Sequence, residues 1–482
     1  MSDNTKNITI KGLFWNALDR FGNQAIVTVV GIITARVISS EDFGVIGVLM
    51  IFSTIATAFV DSGLATSLVR TKQVNELDYS SMFVFNLWVA GFLYLILFFS
   101  APYIEEYYAI PNLTLYARVL FLQLLVHSLG IVQYVKILKN FQFKITARIN
   151  VIAIFLSGIV VVLVAVLGFG IWALLLQQLL YSFFRTIMLW YWGDWKVSLK
   201  LSYASLKQHV AFSLSFMVAN MLGKVLSPFY YSFLGKHFSI QDTGYYYQGN
   251  KWGETPNLLI SSIIQGTTLS TLTPIQDDYP RFLNACRKTM STLAFVLFPV
   301  SILAIAVAKP GFIYFLTDKW LTSVLYFQLL CFAGLFISLA DMNVNFLNIK
   351  GKSQYALGLE IAKVSLAIIA LLLTYTHGII YIIYGQIAVR ILVYLATALM
   401  SGKIYGYHLW AQLKDLLPSF GISLFAGVLA YLPLYFELIS HNLLLVICQS
   451  LIFVAVYISI NQLIKQVIWM EILGMLKKKF AK

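Results

Sequence analysis

Long apolar runs alternate with short polar breaks along almost the entire chain. The runs are about 19–27 residues each. An α-helix needs about 20 apolar residues to cross a hydrocarbon core of roughly 30 Å. Fourteen helical spans are predicted: 13–36, 43–68, 79–104, 113–135, 147–168, 170–192, 208–235, 243–272, 289–308, 320–347, 354–375, 378–400, 417–436 and 442–462. Spans 5 and 6 are separated by Gly168–Gly170 alone. A membrane barrel would instead show alternating segments of about 10 residues. The fold class expected is an all-α polytopic membrane protein.

Composition agrees. Of 482 residues, 60% are hydrophobic and 11% charged, with a mean hydropathy of +0.81. A soluble domain carries about 25% charged residues, so this chain cannot cover a water-facing surface, and disorder is excluded as well. Cys286, Cys331 and Cys448 are far apart, without disulfide or zinc spacing, and the six histidines contain no His-x-x-x-His pair. No metal site and no cofactor are expected. The segment Met1–Lys11 is polar and lacks a cleavage pattern, so the first span is expected to stay as an anchor.

The net charge of +14 reads as topology rather than nucleic-acid binding. When sides alternate from the N-terminus, 23 basic loop residues fall on its side and four, Arg36, Lys236, Lys309 and Lys319, on the other. Basic loops stay in the cytoplasm, so both termini are expected there. The tail Lys477–Lys479 with Lys482 is placed to touch anionic lipid headgroups or to act as a stop signal.

A short repeat divides the chain. Ser39-Ser40-Glu41-Asp42-Phe43-Gly44 follows span 1, and Ser239-Ile240-Gln241-Asp242-Thr243-Gly244 follows span 7, with Ser, Asp and Gly in register. Two parallel six-helix halves are expected, 1–200 and 201–405, with two accessory helices and a basic tail at 406–482. Helix N-capping and close backbone packing are the local reading of the same residues.

Seven basic residues remain inside spans: Arg20, Arg118, Arg185, Lys224, Lys251, Lys363 and Arg390. A central Arg or Lys costs about 2.5–3.5 kcal/mol on insertion scales, so these residues need partners or water. With about 1.5 Å of rise per residue, Arg20 lies about 10 Å and Lys224 about 24 Å from the expected cytoplasmic side, and Lys251 about 12–15 Å from the outer side. Arg118 and Arg185 are nearer the interfaces and read as snorkelling. If Arg20, Lys224 and Lys251 line a common cleft, it is cationic and suits phosphates; pairing with acids on neighbouring helices is the structural alternative. Glu360 and Lys363 read as an ion pair, and Lys251 and Glu254 share that spacing. Asp61, Glu254, Asp341 and Arg390 are candidates for coupling or gating, with helix-end packing as the plainer role for Asp61 and Asp341. Span 8 is unusually polar: Gln248, Asn250 and Trp252 suit sugar recognition.

These residues resemble a family. Ala35-Arg36-Val37-Ile38-Ser39-Ser40-Glu41-Asp42-Phe43-Gly44 is similar to the helix 1–2 turn of bacterial polysaccharide flippases, the Wzx-type lipid-linked oligosaccharide exporters of the multidrug/oligosaccharidyl-lipid/polysaccharide exporter superfamily. So is the block from Gly244-Tyr245-Tyr246-Tyr247 through Lys251-Trp252-Gly253-Glu254-Thr255-Pro256 into Ser270–Asp278. Leu272-Thr273-Pro274 departs from the aromatic-Pro usual there. The resemblance implies flipping of an undecaprenyl-pyrophosphate-linked glycan across the bacterial cytoplasmic membrane by alternating access. It also implies a coupling proton or sodium ion and the polysaccharide polymerase machinery as partner. Arg20, Lys224 and Lys251 would then bind pyrophosphate or acidic sugars, and Gln248, Asn250 and Trp252 the glycan.

Three rivals stand. A multidrug/cation antiporter would favour acidic cavity residues. A peptidoglycan-precursor flippase would differ in its glycan. A membrane glycan polymerase would need outer catalytic loops, and the longest expected here are about 12 residues, near Ala101–Asn112 and Lys309–Trp320.

Overall fold

The structure is a computed structural model that describes residues 3–61, 67–69, 71 and 74–480. Arg70, Lys72 and Lys482, counted with the basic loops, lie outside the described residues, as do the side chains of Lys6, Lys11, Ser270, Lys478 and Lys479.

The described residues form helices joined by loops, without strands. In chain order they form α1 (Asp3–Val37), α2 (Ser40–Asp61), α3 (Glu76–Tyr108), α4 (Leu113–Lys139), α5 (Phe143–Val166), α6 (Ile171–Trp192), α7 (Tyr203–His237) and α8 (Ile240–Leu272). There follow α9 (Tyr279–Ala306), α10 (Ala308–Leu316), α11 (Leu321–Ile349), α12 (Ser353–Thr374), α13 (Ile379–Tyr405), α14 (Leu409–Tyr435), α15 (Asn442–Leu463) and α16 (Val467–Phe480). Among the described residues, 11 helices are long and apolar enough to cross a membrane. The protein is an all-α, multi-pass membrane protein.

Local chemistry sets the helix ends. Asn75 and Asp78 form a reciprocal capping box at α3: the Asn75 Oδ1 accepts from the Asp78 N–H at 2.8 Å, and the Asp78 Oδ2 accepts from the Asn75 N–H at 3.0 Å. Asp278 caps α9, accepting from the Arg281 N–H at 3.2 Å. The narrow break between α5 and α6 is made by Gly168 and Gly170, at φ of 85° and 50°, a left-handed backbone that glycine adopts without strain. The two repeat segments cap alike. The Ser39 Oγ accepts from the Asp42 N–H at 3.2 Å, and the Ser239 Oγ from the Asp242 N–H at 3.0 Å.

The chain divides into two compact units, Met1–Tyr247 and Gln248–Lys482, so the division falls inside α8. In the first unit α5 packs between α1 and α6, α4 packs on α3 and α6, and α2 packs on α7 and α4. In the second, α11 packs on α13 and α9, α9 on α14, and α14 on α15. Glycines in α8 allow close approach there: Gly253 lies against the α11 backbone at Phe327 and Cys331. Asn257 ties three helices of that unit, donating to the Gly253 and Cys331 carbonyls, each at 3.2 Å, and accepting from the Ser301 hydroxyl at 3.0 Å.

Candidate functional site

A cavity of about 590 Å³ opens within the first unit, walled by α2, α4, α6 and α7. Each of the four helices supplies one acidic, basic or imidazole side chain: Asp61, His127, Arg185 and Lys224. Asp61 ends α2 and meets the His127 Nε2 of α4 at 2.8 Å. Arg185 is held in place by its neighbours. Its Nε donates to the Asn150 Oδ1 at 3.1 Å, and its guanidinium lies 4.7 Å from the Tyr134 ring. Asn150 in turn donates to the Asp19 Oδ2 at 3.1 Å, and Asn23 donates to the other Asp19 oxygen at 2.5 Å. Lys224 is exposed in the cavity wall and has no ion pair among the described residues. The lining thus sets two basic side chains against one carboxylate and one imidazole, so its formal charge is positive. Gln178, Tyr181 and Ser182 add hydrogen-bonding groups to the wall.

The second unit holds a different cluster. Arg390 on α13 pairs with Glu254 on α8 at 2.8 Å. The spacing in sequence had offered Lys251 as the partner of Glu254; the structure gives that role to Arg390, because α13 brings a guanidinium to the carboxylate. Glu360 and Lys363 pair within α12, as their spacing predicts. Asp341 on α11 lies within electrostatic reach of Lys363, Glu360 and Arg390. Lys251 is half-buried, its ammonium 5.6 Å from the Trp252 ring. The Gln248 Oε1 accepts from the Trp252 indole N–H at 3.1 Å. Gln248 and Asn250 are both buried, at 0% and 2% exposure.

The structure therefore brings Asp61 and Lys224 into one cavity, and Glu254, Arg390 and Asp341 into one cluster. Arg20 is exposed on α1 beside Asp19 and does not line the cavity. His127 and Arg185 were missed as site residues. Both are mid-chain polar groups in apolar spans, which is a legible signal. Their cross-helix partners, Asp61 and Asn150, are 66 and 35 residues away in sequence, which no spacing rule reaches. Among the described residues, no group of three His, Cys, Asp or Glu side chains is placed to hold a metal ion.

The helical fold of the described residues and the charged cavity among its helices define a polytopic membrane protein. Residues 33–325 match the family described as "Polysaccharide biosynthesis protein", and the chain belongs to that family. It is 23% identical over 317 residues to a succinoglycan biosynthesis transport protein, ExoT, of Rhizobium meliloti, covering 66% of this chain and 64% of that protein's own length. It is 22% identical to the lipopolysaccharide biosynthesis protein WzxC of Escherichia coli, covering 87% of this chain and 88% of that one. Its fold is similar to that of the lipid II flippase MurJ in an inward closed conformation. The TM-score is 0.74 at 15% identity, covering 94% of this chain and 99% of that one.

Proposed function

We propose that this protein is a polysaccharide flippase that moves a lipid-linked oligosaccharide across the bacterial cytoplasmic membrane for surface polysaccharide synthesis, with both termini in the cytoplasm. The observation that carries the reading is the net-positive cavity of Asp61, His127, Arg185 and Lys224 in a chain of this family. Burying one unsatisfied hydroxyl costs about 4–8 kcal/mol on a water-to-cyclohexane scale, so an oligosaccharide needs a hydrated path while its lipid tail remains in the bilayer.

In this reading Lys224 and Arg185 attract the pyrophosphate or an acidic sugar of an undecaprenyl-pyrophosphate-linked glycan. Arg20 and Lys251 extend the positive field. Trp252, whose indole N–H is fixed by Gln248, offers its ring face to a sugar, with Asn250 behind it. Asp341 with the Glu254–Arg390 pair, and Asp61 with His127, are the groups that would load a coupling proton or a sodium ion. The halves 1–200 and 201–405 move in alternating access, and 406–482 is an appended pair of spans with a basic tail toward anionic lipid. The polymerase machinery receives the product. A cation antiporter is disfavoured because Arg185 and Lys224 repel cationic cargo from the first unit's cavity.

The test is a leaflet-sidedness assay in reconstituted vesicles carrying a lipid-linked oligosaccharide, with and without proton or sodium gradients. Wild-type protein should expose the glycan to an external lectin, and Arg185→Gln/Lys224→Gln should not, at equal protein level. Transport by the double variant at the wild-type rate would remove the cavity from the mechanism.

A further inference from the structure

A second concavity lies on the first unit, between α1 and α5. It has a volume of about 490 Å³ and is lined by apolar side chains alone, among them Val29 and Ile33 of α1 and Phe155, Ile159 and Leu163 of α5. Its rim is open: Val29 is 56%, Phe155 54% and Leu163 57% exposed. Its floor is set by Gly158, where an added methyl group would come within 2.7 Å of the Val30 Cγ2.

Two cations lie on α5 beyond one end of the groove. Arg148 lies seven residues before Phe155 and eleven before Ile159, two and three helical turns, so it shares their face of α5. Lys144 lies one turn further on, its ammonium 5.5 Å from the Trp15 ring of α1. Arg148 is exposed, and neither cation has an ion pair among the described residues. The lined stretch of α5, Phe155 to Leu163, spans about 12 Å along the helix axis, and Arg148 lies about 10 Å before it. On another face of α5, Asn150 holds the Arg185 that lines the polar cavity.

We infer that this groove is a docking site for the polyprenyl chain of the cargo lipid, with the lipid's phosphate seated between Lys144 and Arg148. The inference rests on the flippase reading and adds a loading position to it. Charge complementarity selects an anionic lipid at the basic end. The wholly apolar trough takes a hydrocarbon chain, and the flippase reading supplies an anionic cargo lipid to fill it. A cargo held there has its phosphate at the foot of the same helix that positions Arg185.

The test uses the full-length protein in phosphatidylcholine nanodiscs. A photoactivatable polyprenyl phosphate is the probe and phosphatidylglycerol the competitor. Cross-links should map to α1 and α5. Lys144→Gln/Arg148→Gln should weaken binding about thirtyfold, as expected for two basic contacts near a membrane surface. Ile159→Trp, which fills the trough, should reduce labelling comparably, while Leu372→Trp, exposed elsewhere on α12, should not. Displacement by phosphatidylglycerol at equal mole fraction, cross-links outside α1 and α5, or wild-type labelling of Ile159→Trp would each overturn the inference. The two readings fail separately. Wild-type protein that binds the probe here yet moves no lipid-linked glycan sinks the flippase reading, whereas full transport with no labelling sinks the groove.

Discussion

Gly44 and Gly244, two hundred positions apart, each rest on the backbone four residues ahead of the other. A methyl group on Gly44 would overlap the Ile240 carbonyl, and one on Gly244 would overlap the Ser40 carbonyl. Because 40 and 240 are themselves equivalent in the repeat, the contact is reciprocal: the starts of α2 and α8 cross about a local two-fold axis. That explains why glycine stands in both copies. Replacing either with alanine should overpack the crossing, at a cost of about 1–3 kcal/mol. Thermal unfolding of Gly44→Ala and Gly244→Ala should show lower melting temperatures. Gly91→Ala, with nothing within 4 Å, should be neutral or slightly stabilising. Equal melting for all three would mean the crossing is loose.

Much of this fold is written in the chain, and the reason is physical. Bilayer thickness fixes helix length, so apolar run length predicts helices directly, and the polar punctuation at Gly168–Gly170 or Asp278 marks their ends. The repeat at Ser39 and Ser239 was legible because capping is local. The packing it makes, Gly44 on Ile240, was not, because crossing geometry depends on residues brought together by folding. The site divides the same way. Asp61 and Lys224 stood out as charges where charge is costly, but their place in one cavity with His127 and Arg185 comes from the packing of α2, α4, α6 and α7. Glu254 carries the same lesson: the i, i+3 rule offered Lys251, and the tertiary fold supplied Arg390.

That exchange of partners is testable. The side chains of Arg390 and Glu254 are 15% and 25% exposed, and truncating one partner of a half-buried pair strands the other charge. Glu254→Gln should cost about 3 kcal/mol, while Lys251→Gln, whose ammonium neighbours the Trp252 ring instead, should cost far less. The swapped Glu254→Arg/Arg390→Glu protein should recover part of the loss. Melting curves of the purified variants decide it; a larger effect from Lys251→Gln would contradict the pairing.

Where the chain turns between α13 and α14, the buried Tyr407 hydroxyl donates to the Asp415 Oδ2 at 2.9 Å, and Arg287 grips the same carboxylate at 2.9 and 2.8 Å. Burial, and then the Asp415 charge, push the Tyr407 phenol well above its ordinary range. The unfolded chain therefore loses this proton first. Stability is fully present below a pH of about 10 and falls as pH rises beyond it. Tyr407→Phe should melt lower at neutral pH by the value of one hydrogen bond to a charged group, about 1.5–3 kcal/mol, and should lose less stability between pH 9 and 11 than the wild type. Parallel pH profiles for the two proteins would show that this phenol does not titrate with unfolding.

The charges in the first unit's cavity make opposite predictions for neighbouring substitutions. Lys224 and Arg185 attract an anion; Asp61 opposes them and is partly occupied by His127 at 2.8 Å. Neutralising Lys224 should weaken binding of inorganic pyrophosphate, and neutralising Asp61 should strengthen it. Each shift should be about tenfold, the Coulomb effect of one unit charge at roughly 10 Å with an effective dielectric near 20. His127→Gln, which leaves Asp61 without its imidazole partner, should weaken binding in the direction of Lys224→Gln. Titration calorimetry on the full-length protein reads all three, and raising the salt concentration should shrink every difference, because the cavity is open to solvent. Should Asp61→Asn and Lys224→Gln both weaken binding, the cavity would be acting through its shape and hydrogen bonds rather than its charge, and the anion would belong elsewhere in the protein.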